Sequence, residues 1–212
     1  MEPDVPSAAI PSVSTDSEII QRSLEDPGAF SEIFERHLRP VGGYIRRRVG
    51  ADAVDDVLSE TFLVAFRRRG AFDQRQPSSL PWLLGIATRL VKSHRAAEAR
   101  QWRAFEASTT DAAGVDTPHA ASDSRLDANA ALRALAPRIA ALSQKERDTL
   151  LLHAWADLTY EQIAVALGVP VGAVRSRLNR IRRKLAPPGS HSAARLTWMA
   201  KEENDGAYRA GA

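Results

Sequence analysis

The stretch Thr159 to Leu185, TYEQIAVALGVPVGAVRSRLNRIRRKL, has the spacing of a helix-turn-helix. Thr159-Tyr-Glu-Gln162 is a capping box: the Thr hydroxyl serves a free backbone N–H and the Gln side chain reaches back to the cap. The first helix, Tyr160–Leu167, turns Ile163, Ala164 and Leu167 inward. Gly168 supplies the left-handed residue that reverses the chain, Val169 plugs the corner, and Pro170-Val171 begins the second helix. There Val174, Leu178, Ile181 and Leu185 fall at i, i+4, i+7 and i+11, a narrow apolar stripe. A step of about 100° per residue puts Gly172, Ser176, Asn179 and Arg183 on the opposite side, flanked by Arg175, Arg180 and Arg182. Six of the ten residues 175–184 are basic and none is acidic, so no i,i+4 pair offsets their repulsion, which weakens the reading of a merely solvated basic helix. Small residues near the helix start allow close approach to a groove floor, and Arg or Asn can pair with guanine or adenine edges. The stretch reads as a DNA-binding unit.

Moving toward the amino terminus, Ser143-Gln-Lys-Glu146 is another capping box, opening a helix that carries Leu150, Leu151 and Leu152. Helix extends back to about Asp127, with Leu132 and Leu135 inward and a break or kink expected at Pro137. Residues 104–126 are rich in Ala, Ser, Thr and Asp without periodicity and read as a linker. Before it, Phe30, Ile33, Phe34 and Leu38 form one helix face, and Pro40 with Gly42-Gly43 is expected to interrupt that helix. A helix over about Asp52 to Arg69 turns Val54, Val57, Leu58, Thr61, Phe62 and Ala65 inward and closes at Gly70. Residues 70–79 read as a loop, and Pro81 opens a long helix with Leu83, Ile86, Leu90 and Ala97 inward. No strand-like alternation of useful length occurs. The expected fold is all-α: two small helical domains, 21–103 and 127–187, joined by a flexible acidic linker, with a disordered tail at 1–20 and a further tail at 188–212. That last tail holds a short amphipathic piece, Leu196, Trp198 and Met199.

Charge follows the same division. The 212 residues carry a net charge of only +3, yet residues 27–103 hold fourteen basic and eight acidic side chains and 127–187 hold ten and five. Residues 1–26 hold one and six, and 104–126 one and four. Two basic blocks between acidic connectors are the pattern of two polyanion-binding units on one chain. Cysteine is absent, which excludes a disulfide scaffold, Cys-ligated zinc and thiol catalysis, and fits a reducing compartment. The start, Met1-Glu-Pro-Asp, has neither a basic n-region nor an apolar h-region, and no apolar run approaches the roughly 20 residues that cross a bilayer. A cytoplasmic protein without membrane insertion is expected. His37, His94, His119, His153 and His191 show no metal spacing, and no GxGxxG or P-loop is present, so neither metal, cofactor nor catalytic residue is expected.

Three motifs carry a resemblance. Val54-Asp-Asp-Val-Leu-Ser-Glu-Thr-Phe62 resembles the EDLVQETF stretch of region 2 in bacterial sigma factors. Pro81-Trp-Leu-Leu-Gly-Ile-Ala-Thr-Arg-Leu90 is similar to the WLxxIAxN helix that follows, and Leu158–Leu185 resembles region 4. With only a linker between them, the layout is similar to the extracytoplasmic-function (ECF) class of sigma factors, over about two thirds of the chain.

The resemblance implies an RNA polymerase sigma factor that binds core polymerase and directs promoter recognition, melting and initiation. Its partners would be the β′ clamp and β flap of core polymerase, promoter DNA and an anti-sigma factor. Asp55, Asp56 and Glu60 match the acidic positions that dock on the clamp, with Leu63 on the same face; Ser59 stands where the family usually has Gln. The loop 70–79 and the helix after it match the segments that melt and read the −10 element. Phe72, Asp73, Gln74 and Trp82 are candidates there, Trp82 serving equally well as core. Thr88, Lys92 and Arg95 share the non-core face of the helix, with Arg89 on its flank. Arg175, Ser176, Asn179 and Arg180 occupy positions used on the −35 element. Which side chains touch bases and which touch phosphates stays open. The alternative is a helix-turn-helix transcriptional regulator acting without core polymerase.

Overall fold

Thr15, Ser143 and Thr159 each stand one residue before a helix, and each closes a reciprocal capping box with the residue three positions on. The computed structural model describes residues 14–108 and 135–186, all of them helix, turn or loop. The amino-terminal lobe comprises α1 (Asp16–Ser23), α2 (Ser31–Arg46), α3 (Val54–Arg67) and α4 (Leu80–Ser108). The carboxy-terminal lobe has a helical turn at 135–140, then α5 (Gln144–Trp155), α6 (Tyr160–Leu167) and α7 (Val171–Leu185).

Residues 16–20, expected in a disordered tail, are helical. Thr15 and Glu18 cap α1, and Ile19 and Ile20 are wholly buried. The Asp16 carboxylate is also buried, accepting from Arg36 and from His37 Nε2 at 2.6 Å each, from the Ser79 N–H at 2.7 Å and from the Ser79 hydroxyl at 2.9 Å. Burial alone would raise its pKa; the His37 and Ser79 hydrogen bonds outweigh that and hold it far below the usual carboxylate range. Asp16 thus ties α1 to α2 and to the residue preceding α4.

Helix α2 is not interrupted at Pro40, contrary to expectation. Pro40 faces solvent with its ring at a helical φ, while Val41, Gly42, Tyr44 and Ile45 just beyond it are buried and hold the second half in line. Gly42 faces Leu58 of α3, whose Cδ2 would lie 3.5 Å from an added Cβ. Helix α4 runs five residues past the expected boundary at Arg103, through the helix-favouring Ala104-Phe-Glu-Ala-Ser108. Pro137 lies inside the turn 135–140 and does not break it: its carbonyl accepts from the Ala141 N–H at 3.0 Å, and the chain leaves the helix only after that. Residues 109–134, which include most of the expected linker and Leu132, and the tail from 187 onward lie outside the described residues.

In the carboxy-terminal lobe the expected corner is present. Gly168 adopts φ +63°, and Val174, Leu178 and Ile181 of α7 are buried against α5 and α6. A continuous apolar cluster runs through both lobes. Its junction is α4, whose residues Leu83–Thr88 are all buried, where an amphipathic surface helix would expose every third or fourth. One side of α4 packs on α2 and α3, and another receives α6.

Candidate nucleic-acid interface

Helix α7 begins at Pro170 as its N-cap, a residue with no N–H to leave unsatisfied there. Its apolar stripe pins one face, so Gly172, Arg175, Ser176, Asn179, Arg180 and Arg183 are exposed together on the other. Arg182 differs from its neighbours. It is half-buried, with one guanidinium nitrogen 2.8 Å from the Tyr160 hydroxyl of α6 and the other 3.2 Å from Asn179 Oδ1. That bond fixes the Asn179 amide with its oxygen toward Arg182 and its NH2 toward solvent, a geometry suited to donating to a base edge.

Two contacts that the sequence pattern does not disclose hold α7 in place. Lys184 donates to both oxygens of Glu146 at 2.9 Å, tying the end of α7 to the start of α5. The Lys184 bonds, followed by the Ser143 N–H, hold the Glu146 carboxyl down at about 2, against burial, which raises it. Arg138 donates to the carbonyls of Leu185 and Ala186 at 3.3 and 2.9 Å, occupying free acceptors at the carboxy end of α7. Both partners are distant in sequence, so no local spacing signals them.

A second exposed face lies on α3. Asp55, Asp56, Ser59, Glu60 and Leu63 all face solvent, opposite the buried Val54, Val57, Thr61, Phe62 and Ala65. Phe34, expected inward, is 39% exposed, its ring edge-on to Phe62 of α3 at 4.8 Å, so an apolar patch continues from α3 to α2. Periodicity placed Phe34 with Ile33; the real inward face rotates toward Ile33, His37 and Val41.

The −10 candidates are less uniform. Phe72 is buried and packs on Trp82 with ring centroids 5.3 Å apart, so here Phe72 is core and not a platform for stacking bases. Trp82 is half-buried. Asp73 is paired with Arg75 through two bonds of 2.8 and 2.9 Å, and the Arg75 hydrogen bonds hold its pKa down at about 2. Gln74 is exposed, as are Arg89, Lys92 and Arg95 along α4. Thr88 is buried; its hydroxyl donates to the Leu84 carbonyl at 2.7 Å and meets the Tyr44 hydroxyl at 2.7 Å, so it is not available to DNA in this arrangement.

Among the described residues no group of three or more His, Cys, Asp or Glu could hold a metal ion, and no helix is long and apolar enough to cross a membrane. His37 serves Asp16 and His153 packs its ring against Tyr160, 5.6 Å between centroids; His119 and His191 lie outside the described residues.

The family model "Sigma-70 region 2" matches residues 33–101 and "Sigma-70, region 4" matches 132–185. The chain is 34% identical over 144 residues to the RNA polymerase sigma factor HrpL of Pseudomonas syringae pv. syringae, covering 67% of this chain and 77% of that protein. It is 28% identical to the ECF RNA polymerase sigma-E factor of Haemophilus influenzae, over 81% of this chain and 93% of that one. In fold it is similar to CnrH in complex with the cytosolic domain of CnrY (TM-score 0.55, 22% identity, 81% of this chain and 95% of that one). It is also similar to the sigma factor RpoE of Bartonella quintana in complex with the anti-sigma factor NepR (TM-score 0.50, 20% identity, 74% and 93%). An acidic-apolar α3 face, a basic α7 face and two sigma-70 models in this order along one chain agree: the protein belongs to the sigma-70 family of RNA polymerase sigma factors, in the ECF class.

Proposed function

We propose that this ECF sigma factor lends core RNA polymerase two DNA-reading lobes and does no covalent chemistry of its own. The observation that carries the reading is a pair of exposed faces of opposite charge on separate helices. Asp55, Asp56 and Glu60 surround Leu63 on α3, and Arg175, Ser176, Asn179, Arg180 and Arg183 stand clear on α7. An acidic rim around an apolar contact suits an Arg-rich helical partner such as the β′ clamp. The α7 face suits the major groove at −35, with Arg175 and Asn179 toward bases and Arg183 toward phosphate. The β flap is the polymerase element assigned to the carboxy-terminal lobe.

The amino-terminal lobe would hold the unpaired strand at −10 through Gln74, Trp82, Arg89, Lys92 and Arg95. Phe72, Asp73 and Thr88 join only if the loop and α4 shift from the arrangement described above. The free energy of melting comes from holding that strand and from polymerase contacts, with no nucleotide hydrolysis. The cytoplasm, where polymerase works, is the compartment. The RpoE of Bartonella quintana is seen with an anti-sigma factor, and a protein of that kind is proposed as a partner here too.

Mixing the purified chain with core enzyme and genomic fragments tests the assignment. Co-elution with core and specific run-off transcripts are expected. A chain that ignores core and shifts duplex DNA alone is instead a helix-turn-helix regulator.

A further inference from the structure

Residues 73–79 lie outside any helix, yet Gln74 within them is a proposed −10 contact and Trp82 follows in the first turn of α4. A coil segment has many backbone arrangements of similar energy, so holding a base-reading side chain in one of them takes support from outside the loop. Inside it, the Asp73–Arg75 pair and the Gln76 N–H, which donates to the Asp73 carbonyl at 2.9 Å, close only a local turn. Among the described residues, the hydrogen bonds that reach from 73–79 beyond the first turn of α4 all end on α1. The Ser17 hydroxyl donates to the Gln76 carbonyl. Asp16 Oδ2 accepts from the Ser79 N–H at 2.7 Å, from the Ser79 hydroxyl at 2.9 Å and, more distantly, from the Ser78 hydroxyl at 3.4 Å. The Ser79 carbonyl accepts the first bond of α4, from the Leu83 N–H at 2.9 Å. A serine hydroxyl at that position ordinarily turns back to a free N–H of its own helix; this one donates to α1 instead. Arg36 and His37 of α2 fix the carboxylate in turn, and Asp16 and Ser79 are both buried. Between the two anchors at Gln76 and Ser79 stands Pro77, whose ring fixes its own φ, so little freedom is left there. Helix α1 does not suit DNA itself. Its groove with Gln74 is lined by Ser17, Glu18, Gln21, Arg22 and Glu25, and Arg22 pairs with Glu32, which leaves an acidic wall that repels phosphates.

We infer that Asp16 and Ser17 are positioning residues for −10 reading: they tether the loop 73–79 to the α1–α2 frame, so that Gln74 and Trp82 meet the unpaired strand in one arrangement. The inference rests on the proposed function for what Gln74 and Trp82 do, and on geometry alone for the tether. A loop cut loose from α1 still reaches a base, but over many arrangements. Hydrogen bonds that tell one base from another need a side chain held to within about 0.5 Å, so discrimination is lost before binding is.

The test uses the full chain as Asp16→Asn, Ser17→Ala and Ser17→Thr. Alanine favours a helix, so Ser17→Ala cuts the Gln76 bond without harming α1. Ser17→Thr keeps the hydroxyl and serves as the rescue. Two quantities are measured: amide hydrogen exchange, and initiation with core enzyme from a promoter recovered by run-off transcription, substituted one base at a time at −10 and at −35. Asp16→Asn and Ser17→Ala should exchange faster over 74–80. Discrimination among −10 bases should fall about tenfold in Asp16→Asn, which loses bonds to a charged acceptor, and about threefold in Ser17→Ala, which loses one neutral bond. Base preference at −35 and affinity for core should match the parent, and Ser17→Thr should behave as the parent throughout. Unchanged exchange in a folded Asp16→Asn overturns the tether; if that variant fails to fold, Ser17→Ala against Ser17→Thr decides. Faster exchange with −10 discrimination intact overturns the positioning role, and so does an equal loss at −10 and −35, the mark of general destabilisation. Faster exchange with no core binding by parent or variants leaves the tether standing and sinks the proposed function instead.

Discussion

Helices α4 and α7 carry the two proposed DNA-reading faces, and the fold treats them in opposite ways. Helix α7 is anchored along one narrow stripe, with Arg175, Asn179, Arg180 and Arg183 in solvent. Helix α4 is wrapped on all sides between Leu83 and Thr88, and its candidate readers Arg89, Lys92 and Arg95 are exposed only beyond that stretch. A duplex reader can be presented ready-made, because its target is always accessible. A reader of opened strand has no target until melting starts.

The largest effect is expected on α3, the helix both readers depend on. Asp56→Arg combined with Glu60→Arg should reduce core affinity by more than about a hundredfold in a pull-down, several like-charge contacts costing several kcal/mol, while the helical signal is kept. Unchanged affinity would remove α3 from the polymerase interface. Next come Arg175→Ala and Asn179→Ala, each expected to change base preference by about 1–3 kcal/mol per bidentate contact in a duplex-binding competition. Lys92→Ala and Arg95→Ala should leave duplex binding by the free chain untouched and weaken only open-complex formation with core. If α4 substitutions affect the free duplex assay as α7 substitutions do, the contrast between the helices is wrong. Arg183→Ala should act uniformly across sequences and flatten the slope of log K against log salt by about 0.9.

The smallest effect concerns how α7 is held. The Glu146 carboxyl has a folded pKa of about 2 against an ordinary value of 4.5. A depressed acid stabilises fully above its unfolded pKa and loses that contribution as pH falls through the folded one. The melting-temperature advantage of the parent over Glu146→Gln should therefore be complete at pH 6, shrink below about pH 4.5 and vanish near pH 2. A constant difference across that range would mean Lys184 does not engage the carboxylate.

Local chemistry was legible in the sequence where one segment decides the outcome. The capping residues Ser143 and Thr159, the reversing Gly168 and the stripe from Val174 to Leu185 all stand as read. So does the exposed acidic face of α3. Thr15 and Glu18 carry the same capping signature, masked by the Pro, Ser and Ala composition of the residues before it. Pro40 was read by its local cost, which long-range burial of Val41, Tyr44 and Ile45 overrides. Phe34 is exposed and Phe72 buried because helical spacing cannot say which of the adjacent Ile33 and Phe34 turns fully inward, or that a loop aromatic folds under Trp82. Gly85 carries only half of a signal. A glycine within a helix states that something comes close, but only Ala166, eighty-one positions later, says what.

Asp16 also sets a timetable. Its carboxylate has all its partners only once Ser79 has left the ribosome, and the amino-terminal lobe is complete once α4 follows, at Ser108. Ala166 follows 58 codons after Ser108, about 3 to 12 s at ordinary translation speeds. For that interval every newborn copy has the Gly85 side of α4 bare, so a nascent chain meets its surroundings unguarded before its own second half arrives to cover it.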